Sequence, residues 1–309
     1  MNLELFVLGT GGMMPLPGRF LTSVLLRREG ELFLFDSGEG TQVSLRKLNL
    51  KWKKISSIFI SHTHADHVTG LPGILMLSSQ VERDDPLYIF GPPKIKEYVE
   101  MSKKVLDMYI NYEIIVKEIT GPEVVYRGDG FLVNAFPLRH TKPCVGYSMV
   151  EDERAGVFFP NKAELAGVPK GPLWSELQKG NDITLDNGLL VQASEVMGSP
   201  RKGRKVSFVT DTQYFPEISD FVRDSDLLIC EGMFKADLEE SAKKKKHMTS
   251  SQAARLTADA GGIKKMGLIH YSPRYTKYEL SGLLEEARTI FPNTFLTRDG
   301  QQIDIPYED

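Results

Sequence analysis

A short segment near the start of the chain has the residue types and spacing of a metal-dependent hydrolytic site. Residues 61–67 read Ser-His-Thr-His-Ala-Asp-His and contain three of the six histidines of the chain. His62 and His64 are two residues apart, so in an extended segment they point the same way and can bind one ion. Asp66 and His67 follow where the chain turns into a predicted helix, and they can reach a second ion. The segment therefore predicts most of a two-metal site.

Further ligands for two ions must come from elsewhere in the chain. His140, Asp211 and His270 are the candidates, and the Asp211 carboxylate can bridge two ions about 3.5–4 Å apart. Nitrogen and carboxylate donors without thiolates suit Zn²⁺, and Mn²⁺ is possible because carboxylates are present. In such sites the ions lower the pKa of a water molecule towards neutrality, which supplies a nucleophile for hydrolysis.

Hydrolysis of a phosphodiester also requires an acid that protonates the leaving oxygen. His247 is the candidate, because it is not needed as a ligand and the ordinary pKa of histidine suits acid catalysis. Glu231 could orient His247 and raise its pKa through opposite charge. The alternative is an exposed loop histidine after the lysine run at 243–246, and the sequence leaves this alternative open.

Strands are predicted immediately before most of these residues. Strands in a common sheet deliver the residues that follow them to one edge, so we expect a site at such an edge. Helices are predicted over 94–108 and from Thr249 to Ala260, with Thr249 or Ser250 as the N-cap of the second. The residues predicted to follow strands are His62, His140, Asp211, Glu231 and His270.

Length, composition and charge narrow the class of protein. The chain has 309 residues, of which 41% are hydrophobic and 26% charged. A chain of this length can bury a large core that does not depend on metal. Neither Cys144 nor Cys230 belongs to a CxxC pair, so we expect reduced thiols rather than a zinc finger. The N-terminus has no signal-peptide pattern and no apolar run reaches the about 20 residues of a membrane span, which predicts a cytoplasmic protein.

The net charge of −3 argues against indiscriminate binding to nucleic acid. Basic clusters at residues 51–54, 201–205 and 243–246 nevertheless stand out in this acidic chain. A solvated surface loop is the simplest interpretation of any one cluster. Because one of them directly precedes His247, local phosphate recognition remains a hypothesis.

The six residues 62–67 form the HxHxDH signature of the metallo-β-lactamase superfamily. Longer stretches resemble the ribonuclease Z family, the endonucleases that mature the 3′ ends of tRNA, and the resemblance spans essentially the whole chain. The resembling segments are 6–12, 34–42 and 70–73, together with His140, Asp211-Thr212, Glu231, His247-Met248-Thr249, His270 and Arg274-Tyr275.

The resemblance implies an α/β fold, a four-layer αββα metallo-β-lactamase sandwich formed by a single domain over residues 1–309. An inserted arm at residues 151–175 would grip the tRNA. The activity implied is that of a zinc-dependent endoribonuclease, a phosphodiesterase that cleaves the 3′ trailer from precursor tRNA and works as a homodimer.

The resemblance also assigns roles to individual residues. It implies two zinc ions per chain and names Asp66, His247 and Glu231 as catalytic residues. Contacts with the substrate are expected from Arg19, Arg274, Thr249 and Lys170. The implied ligands are His62, His64 and His140 for one zinc ion and Asp66, His67 and His270 for the other, with Asp211 bridging them.

Two other functions remain open. The loop at residues 15–20 keeps the proline and arginine of a family pattern but has Phe20 in place of an asparagine. This difference allows a relative that hydrolyses small phosphodiesters or other esters without tRNA specificity. A function of another class is a non-catalytic RNA-binding subunit that keeps the fold.

Overall fold

A computed structural model describes residues 2–81 and 83–307 of the chain. None of the helices in this part of the chain is long and apolar enough to cross a membrane. The strands are β1 (Leu3–Gly9), β2 (Ser23–Arg28), β3 (Glu31–Phe35), β4 (Ile55–Phe59), β5 (Leu87–Gly91), β6 (Ile114–Glu118), β7 (Glu123–Gly128), β8 (Phe131–Arg139), β9 (Pro143–Glu151), β10 (Ile183–Thr184), β11 (Leu190–Val191), β12 (Lys205–Val209), β13 (Leu227–Glu231), β14 (Lys265–Ile269), β15 (Thr294–Leu296) and β16 (Gln302–Asp304).

The helices are mostly short. Two 3₁₀ helices, Trp52–Lys54 and Ala236–Leu238, accompany them. The α-helices are α1 (Thr41–Lys47), α2 (Ala65–Val68), α3 (Leu71–Ser79), α4 (Ile95–Val105), α5 (Pro160–Leu165), α6 (Pro172–Gln178), α7 (Ala193–Val196), α8 (Glu217–Val222), α9 (Glu239–Lys245), α10 (Ser250–Ala260) and α11 (Leu280–Arg288).

Most of the strands belong to two seven-stranded sheets. The first has the order β16-β1-β2-β3-β4-β5-β6, and the second has the order β15-β14-β13-β12-β9-β8-β7. Strands β3 to β6 are parallel, as are β12 to β15, so each sheet has a run of strands whose carboxyl ends share one edge. Such an edge is where loops hold functional side chains on a rigid scaffold.

Three apolar layers show how the sheets and helices stack. One buried cluster joins residues of both sheets, such as Phe33 and Phe59 from the first and Tyr147 and Phe208 from the second. A second cluster lies between the first sheet and helices α1, α3 and α4, and a third lies between the second sheet and helices α8, α10 and α11. The order of layers is therefore helix, sheet, sheet, helix, which confirms the predicted αββα sandwich.

Local sequence explains the two elements closest to the predicted acid. Helix α10 begins after Thr249, whose hydroxyl accepts a hydrogen bond from the backbone N–H of Gln252. The Gln252 side chain in turn accepts from the backbone N–H of Thr249, which completes a capping box. The predicted N-cap is thus confirmed. Strand β13 is buried at all five positions, as expected for a parallel strand covered on both faces.

The chain divides into two compact units. The first contains the described residues up to Val150 together with Lys205–Pro306, and the second contains Glu151–Arg204 together with Tyr307. The sequence instead predicts one domain over residues 1–309 with an arm at residues 151–175. The second unit reaches further because residues beyond 175, including Leu177, Ile183, Val191 and Val196, supply much of its apolar core.

Candidate active site

The ends of several strands carry the residues that the sequence singled out. His140 and His270 directly follow β8 and β14, Asp211 comes two residues after β12, and Glu231 is the last residue of β13. His62 follows β4 of the other sheet, so the expectation of one common sheet is wrong for this residue. It still reaches the others because two sheets packed face to face share one edge.

The first group of converging side chains contains three histidines and an aspartate: His62, His64, His140 and Asp211. His62 Nε2 lies 2.9 Å from His64 Nδ1, which in turn lies 3.2 Å from His140 Nε2. Asp211 Oδ2 is 3.6 Å from His62 Nε2 and 3.7 Å from His140 Nε2. Ring nitrogens this close to one another require a proton or a cation between them.

The second group contains Asp66, His67 and His270, all buried. Asp66 Oδ2 lies 3.7 Å from His67 Nε2 and 3.8 Å from His270 Nε2. The other oxygen of Asp211, Oδ1, lies 3.3 Å from His67 Nε2 and 3.1 Å from His270 Nδ1. The two carboxylate oxygens of Asp211 therefore face different groups, which is the arrangement that a bridging ligand needs.

The donor atoms fit a divalent metal ion. His67 Nε2 is buried and has no hydrogen-bond partner, an arrangement that costs free energy unless a cation binds there. His140 Nδ1 lies 3.0 Å from the carbonyl oxygen of Lys246, which can only accept a hydrogen bond. In neutral His140 this leaves the lone pair on Nε2, the atom that faces the group.

Electrostatics favours a charged Asp211 and a neutral His62, but a protonated His67. Burial opposes the charge of Asp211, but His270, His67 and His62 outweigh it and hold the pKa of this carboxyl well below its usual range. Burial lowers the pKa of His62 well below the usual value, so its imidazole is neutral and can donate a lone pair. Burial alone would also lower the pKa of His67, but the carboxylates of Asp211 and Asp36 raise it well above the usual value.

Asp36 supports the site from outside, although the sequence patterns assign it no role. Its carboxylate is fully buried, and Oδ2 lies 2.7 Å from His67 Nδ1. Ser61 donates to the same carboxylate from its backbone N–H at 2.7 Å and its hydroxyl at 2.8 Å. Asp36 thereby orients both the ring of His67 and the start of the histidine segment. The signal was present, since Asp36 directly follows β3 as other site residues follow their strands.

Two aspartates and one histidine of this region have backbone φ angles in the left-handed region. The φ angles are 56° for Asp36, 41° for Asp211 and 63° for His270. Each residue lies just past the end of a buried strand, where the chain must turn sharply to aim its side chain into the edge. Non-glycine residues in this conformation are uncommon and often mark functional sites.

His247 and Glu231 form a buried pair beside Asp211. His247 Nδ1 lies 3.0 Å from Glu231 Oε2 and 3.9 Å from Asp211 Oδ2. Glu231 is fully buried and also accepts a hydrogen bond of 2.5 Å from the backbone N–H of Thr212. Burial would lower the pKa of His247, but the Glu231 carboxylate outweighs it and raises that pKa to about 9. This geometry allows Glu231 to orient His247, and the catalytic roles of both residues stay predictions. Asp211, His247 and His270 also form a third potential ligand group.

Two of the predicted substrate contacts lie close to the site. Arg19 is half-buried, and its Nη2 donates to the carbonyl oxygen of Tyr275 at 3.1 Å. Arg274 is exposed, with its guanidinium 5.1 Å from the ring centre of Phe234. Arg19 therefore lies on a loop bonded to the segment that follows His270, and Arg274 belongs to that segment.

The other two predicted substrate contacts are engaged elsewhere. The Thr249 side chain is buried and its hydroxyl caps helix α10, so the structure gives this residue a helix-capping role. Lys170 belongs to the second unit, where its ammonium lies 2.9 Å from Glu164 Oε1. A role in substrate binding stays a prediction for both residues.

Comparisons with known proteins agree with this architecture. A family model for the anti-Pycsar protein Apyc1 matches residues 3–149, and a model for the beta-lactamase superfamily domain matches residues 178–271. The crystal structure of human tRNase Z, short form, is similar with a TM-score of 0.72 at 26% identity, covering 98% of this chain and all of that one.

Relatives in sequence cover the entire chain. A ribonuclease Z of Treponema denticola is 63% identical over 309 residues, with 100% of both chains covered. A ribonuclease Z of Borrelia hermsii is 45% identical over 312 residues, covering 98% of this chain and 97% of the relative. This level of identity over the full length, together with the metallo-β-lactamase fold, shows that the chain belongs to the ribonuclease Z family.

Proposed function

We propose that this chain is a zinc-dependent endoribonuclease that removes the 3′ trailer from precursor tRNA by cleaving just 3′ of the discriminator position. One observation carries the proposal: a chain related end to end to ribonuclease Z enzymes has two groups of ligand atoms with Asp211 between them. A hydrolytic reaction at a phosphodiester is the chemistry that such an arrangement supports.

The proposed ligands follow the two groups. Zn²⁺ suits the mixture of imidazole and carboxylate donors, and Mn²⁺ is the alternative. When bound, the ions would supply an activated water and stabilise negative charge on the phosphoryl oxygens. The ligands are His62, His64 and His140 for one ion and Asp66, His67 and His270 for the other, with Asp211 shared between them.

His247 is the proposed acid. Glu231 binds Nδ1, so the proton that His247 can give away is the one on Nε2. With a pKa of about 9, the imidazole is protonated at neutral pH and can protonate the leaving oxygen of the RNA. Glu231 keeps the ring in place through its buried carboxylate and does not itself need to exchange a proton.

Substrate binding is proposed for parts of both units. Arg19 and Arg274 would contact phosphates near the cleavage position, and the segment 151–175 with Lys170 would hold the body of the tRNA. We further propose that the protein is cytoplasmic and that it forms a homodimer. Light scattering of the purified protein would test the homodimer. A monomer across the concentrations used for activity would contradict the dimer without affecting the catalytic assignment.

The loop at residues 15–20 favours a second candidate, a hydrolase of small phosphodiesters or other esters. Phe20 lies against the backbone of Gly40, where a Cβ would collide with its ring. The side chain at this position is therefore packed against the protein, whereas an asparagine could offer polar contacts to RNA. This candidate shares the same ligands and acid and differs only in the substrate.

Incubation with a precursor tRNA that lacks an encoded CCA end tests the proposal. We expect one cut at the 3′ side of the discriminator nucleotide, with an Asp66→Ala variant as the inactive control. No cleavage, alongside good turnover of a small aryl phosphodiester, would favour the second candidate. Absence of metal by elemental analysis, together with RNA binding and no turnover, would favour a non-catalytic RNA-binding subunit.

A further inference from the structure

The loop formed by residues 11–19, here called the 11–19 loop, touches two of the proposed metal ligands. The backbone N–H of Met13 donates to Asp66 Oδ2 at 2.6 Å. Gly12 lies against the His270 ring, because a Cβ at this position would collide with the imidazole. The loop is therefore one wall of the candidate active site, and its position affects both ligands.

Backbone hydrogen bonds close the loop at its base and near its tip. At the base, the N–H groups of Thr10 and Gly11 both donate to the carbonyl oxygen of Phe20, at 3.0 and 2.8 Å. Near the tip, Leu16 and Arg19 exchange two backbone hydrogen bonds of 2.9 Å each. Between these bonds, the Gly12 N–H donates to the carbonyl oxygen of Tyr271 at 3.0 Å, which joins the loop to the segment after His270, and the Met13 N–H is left to bond Asp66.

Asp299 connects the two ends of the loop from a distant part of the chain. Its Oδ1 accepts from the Thr10 hydroxyl at 2.7 Å, and its Oδ2 accepts from the backbone N–H of Phe20 at 2.6 Å. Burial raises the pKa of this carboxyl above the usual value, while the two donors oppose that change. Short hydrogen bonds to a partly buried carboxylate are among the stronger polar contacts in proteins.

The loop also carries a cation towards a cleft beside the site. The cleft has a volume of about 720 Å³ and is lined by Arg19, Lys277, Arg298 and Asp299, among others. Arg19 Nη2 is bonded to the Tyr275 carbonyl, whereas its Nη1 is buried without a hydrogen-bond partner. The positive charge of Arg19, Lys277 and Arg298 at this place suits an anionic phosphodiester chain.

We infer that Asp299 is a positioning residue, which fixes the 11–19 loop so that the Met13 amide holds Asp66 and the Arg19 guanidinium faces the substrate cleft. The inference rests on the proposed function for its effect on RNA. Its effect on Asp66 rests only on contacts within the chain, so it can be measured whatever the substrate is.

Two variants test this role. Asp299→Asn keeps the size of the side chain but removes its charge and leaves only one acceptor for two donors, and Thr10→Val removes one of the donors with little change in shape. Asp304→Asn is the matched control, because Asp304 is exposed in β16 and makes no contact with the loop. All proteins would be assayed at saturating metal with precursor tRNA and with a small aryl phosphodiester.

For Asp299→Asn we expect the KM for precursor tRNA to rise about tenfold, as for the loss of one charged hydrogen bond, with kcat within twofold of the wild type. Turnover of the small substrate should not change. In a chelator titration, the variant should release its metal at an about tenfold lower chelator concentration, because Asp66 loses a fixed partner. Thr10→Val should change the KM for precursor tRNA and the release of metal in the same direction.

Equal losses on both substrates with a lower melting temperature would show a merely structural role and overturn the inference. Unchanged KM and unchanged metal release would overturn it as well. If the wild type fails to cleave precursor tRNA, the proposed function fails, but the chelator titration still decides whether Asp299 positions the loop.

Discussion

The edge of the sandwich that carries the ligand groups differs from the second unit in how many charged and titratable side chains it buries. At the edge, Asp36, His62, His67, Asp211 and Glu231 are all almost completely buried. Each of these groups has polar neighbours within the same edge. Buried charge is tolerated only with such partners, so the residue types here are constrained by both chemistry and stability.

The second unit buries little charge. Its core is a small apolar cluster that includes Ala163, Leu177 and Val196, and pairs such as Lys179 with Glu176 are exposed. The exception is the pair of Glu151 and Arg204, which forms two hydrogen bonds of 2.8 and 2.9 Å with both side chains buried. The residue types of such a unit are constrained mainly by the packing of its apolar core. Substitutions on its surface can therefore occur without altering the chemistry at the edge.

The ring of Tyr307 contacts two arginines near the residues where the second unit begins and ends. The guanidinium carbons of Arg154 and Arg204 lie 3.6 and 3.8 Å from the centre of this ring. Cation–π contacts of this kind add to the buried ion pair at the point where the unit begins and ends. The difference between the two regions leads to four tests, in which changes at the edge should stop chemistry and changes in the second unit should not.

The largest effect is expected from Asp66→Ala. Turnover of both precursor tRNA and a small phosphodiester should fall below detection, because one proposed metal ligand is lost. The melting temperature should stay close to that of the wild type, since the three apolar layers do not depend on metal. Asp220→Ala, at an exposed position of α8, is the control. Wholesale unfolding of Asp66→Ala would show that the site is structural.

A smaller loss is expected from His247→Ala. Without its proposed acid, the enzyme should turn over roughly 10²–10⁴ times more slowly on a substrate with a poor leaving group. Metal content, measured by elemental analysis, should be unchanged. Loss of metal would instead make His247 a ligand, as its proximity to Asp211 and His270 allows.

Asp36→Asn should act through metal binding. The amide keeps the shape of the carboxylate but loses the charge that holds His67 and Ser61, so we expect metal affinity to fall by roughly 10–100-fold. Competition with a chelator measures this change. Ser37→Ala is the neighbouring control, because the buried hydroxyl of Ser37 has no hydrogen-bond partner. Equal effects of the two substitutions would contradict the role given to Asp36.

The smallest effect on chemistry is expected from Arg204→Met. Removal of the Arg204 guanidinium takes its charged hydrogen bonds away from the buried Glu151 carboxylate, which should destabilise the second unit by about 3–5 kcal/mol. Faster hydrogen exchange confined to residues 151–204 would report this loss, while turnover of a small phosphodiester stays unchanged. Lys179→Ala breaks an exposed pair and should cost about 0–1 kcal/mol. A large fall in the turnover of the small phosphodiester by Arg204→Met would contradict the proposed difference between the two regions.

Much of the fold and the site could be predicted from local patterns. The histidine segment at 62–67, the Thr249 cap and the strands before His140 and His270 depend on neighbours within a few residues, which spacing and residue type describe well. The extent of the second unit could not be predicted in the same way. Its core joins Ala163 to Val191 through short and irregular elements that have no clear period.

The sequence by itself determined which groups were available: six histidines, Asp66, Asp211 and Glu231, in patterns that point to two metal ions and an acid. Only the tertiary structure decided how they are held. His67 depends on Asp36 from 31 residues away, His140 on the Lys246 carbonyl from 106 residues away, and the Thr10 hydroxyl on Asp299 from 289 residues away. Such contacts arise when sheets pack and loops close, and no local spacing along the chain encodes them.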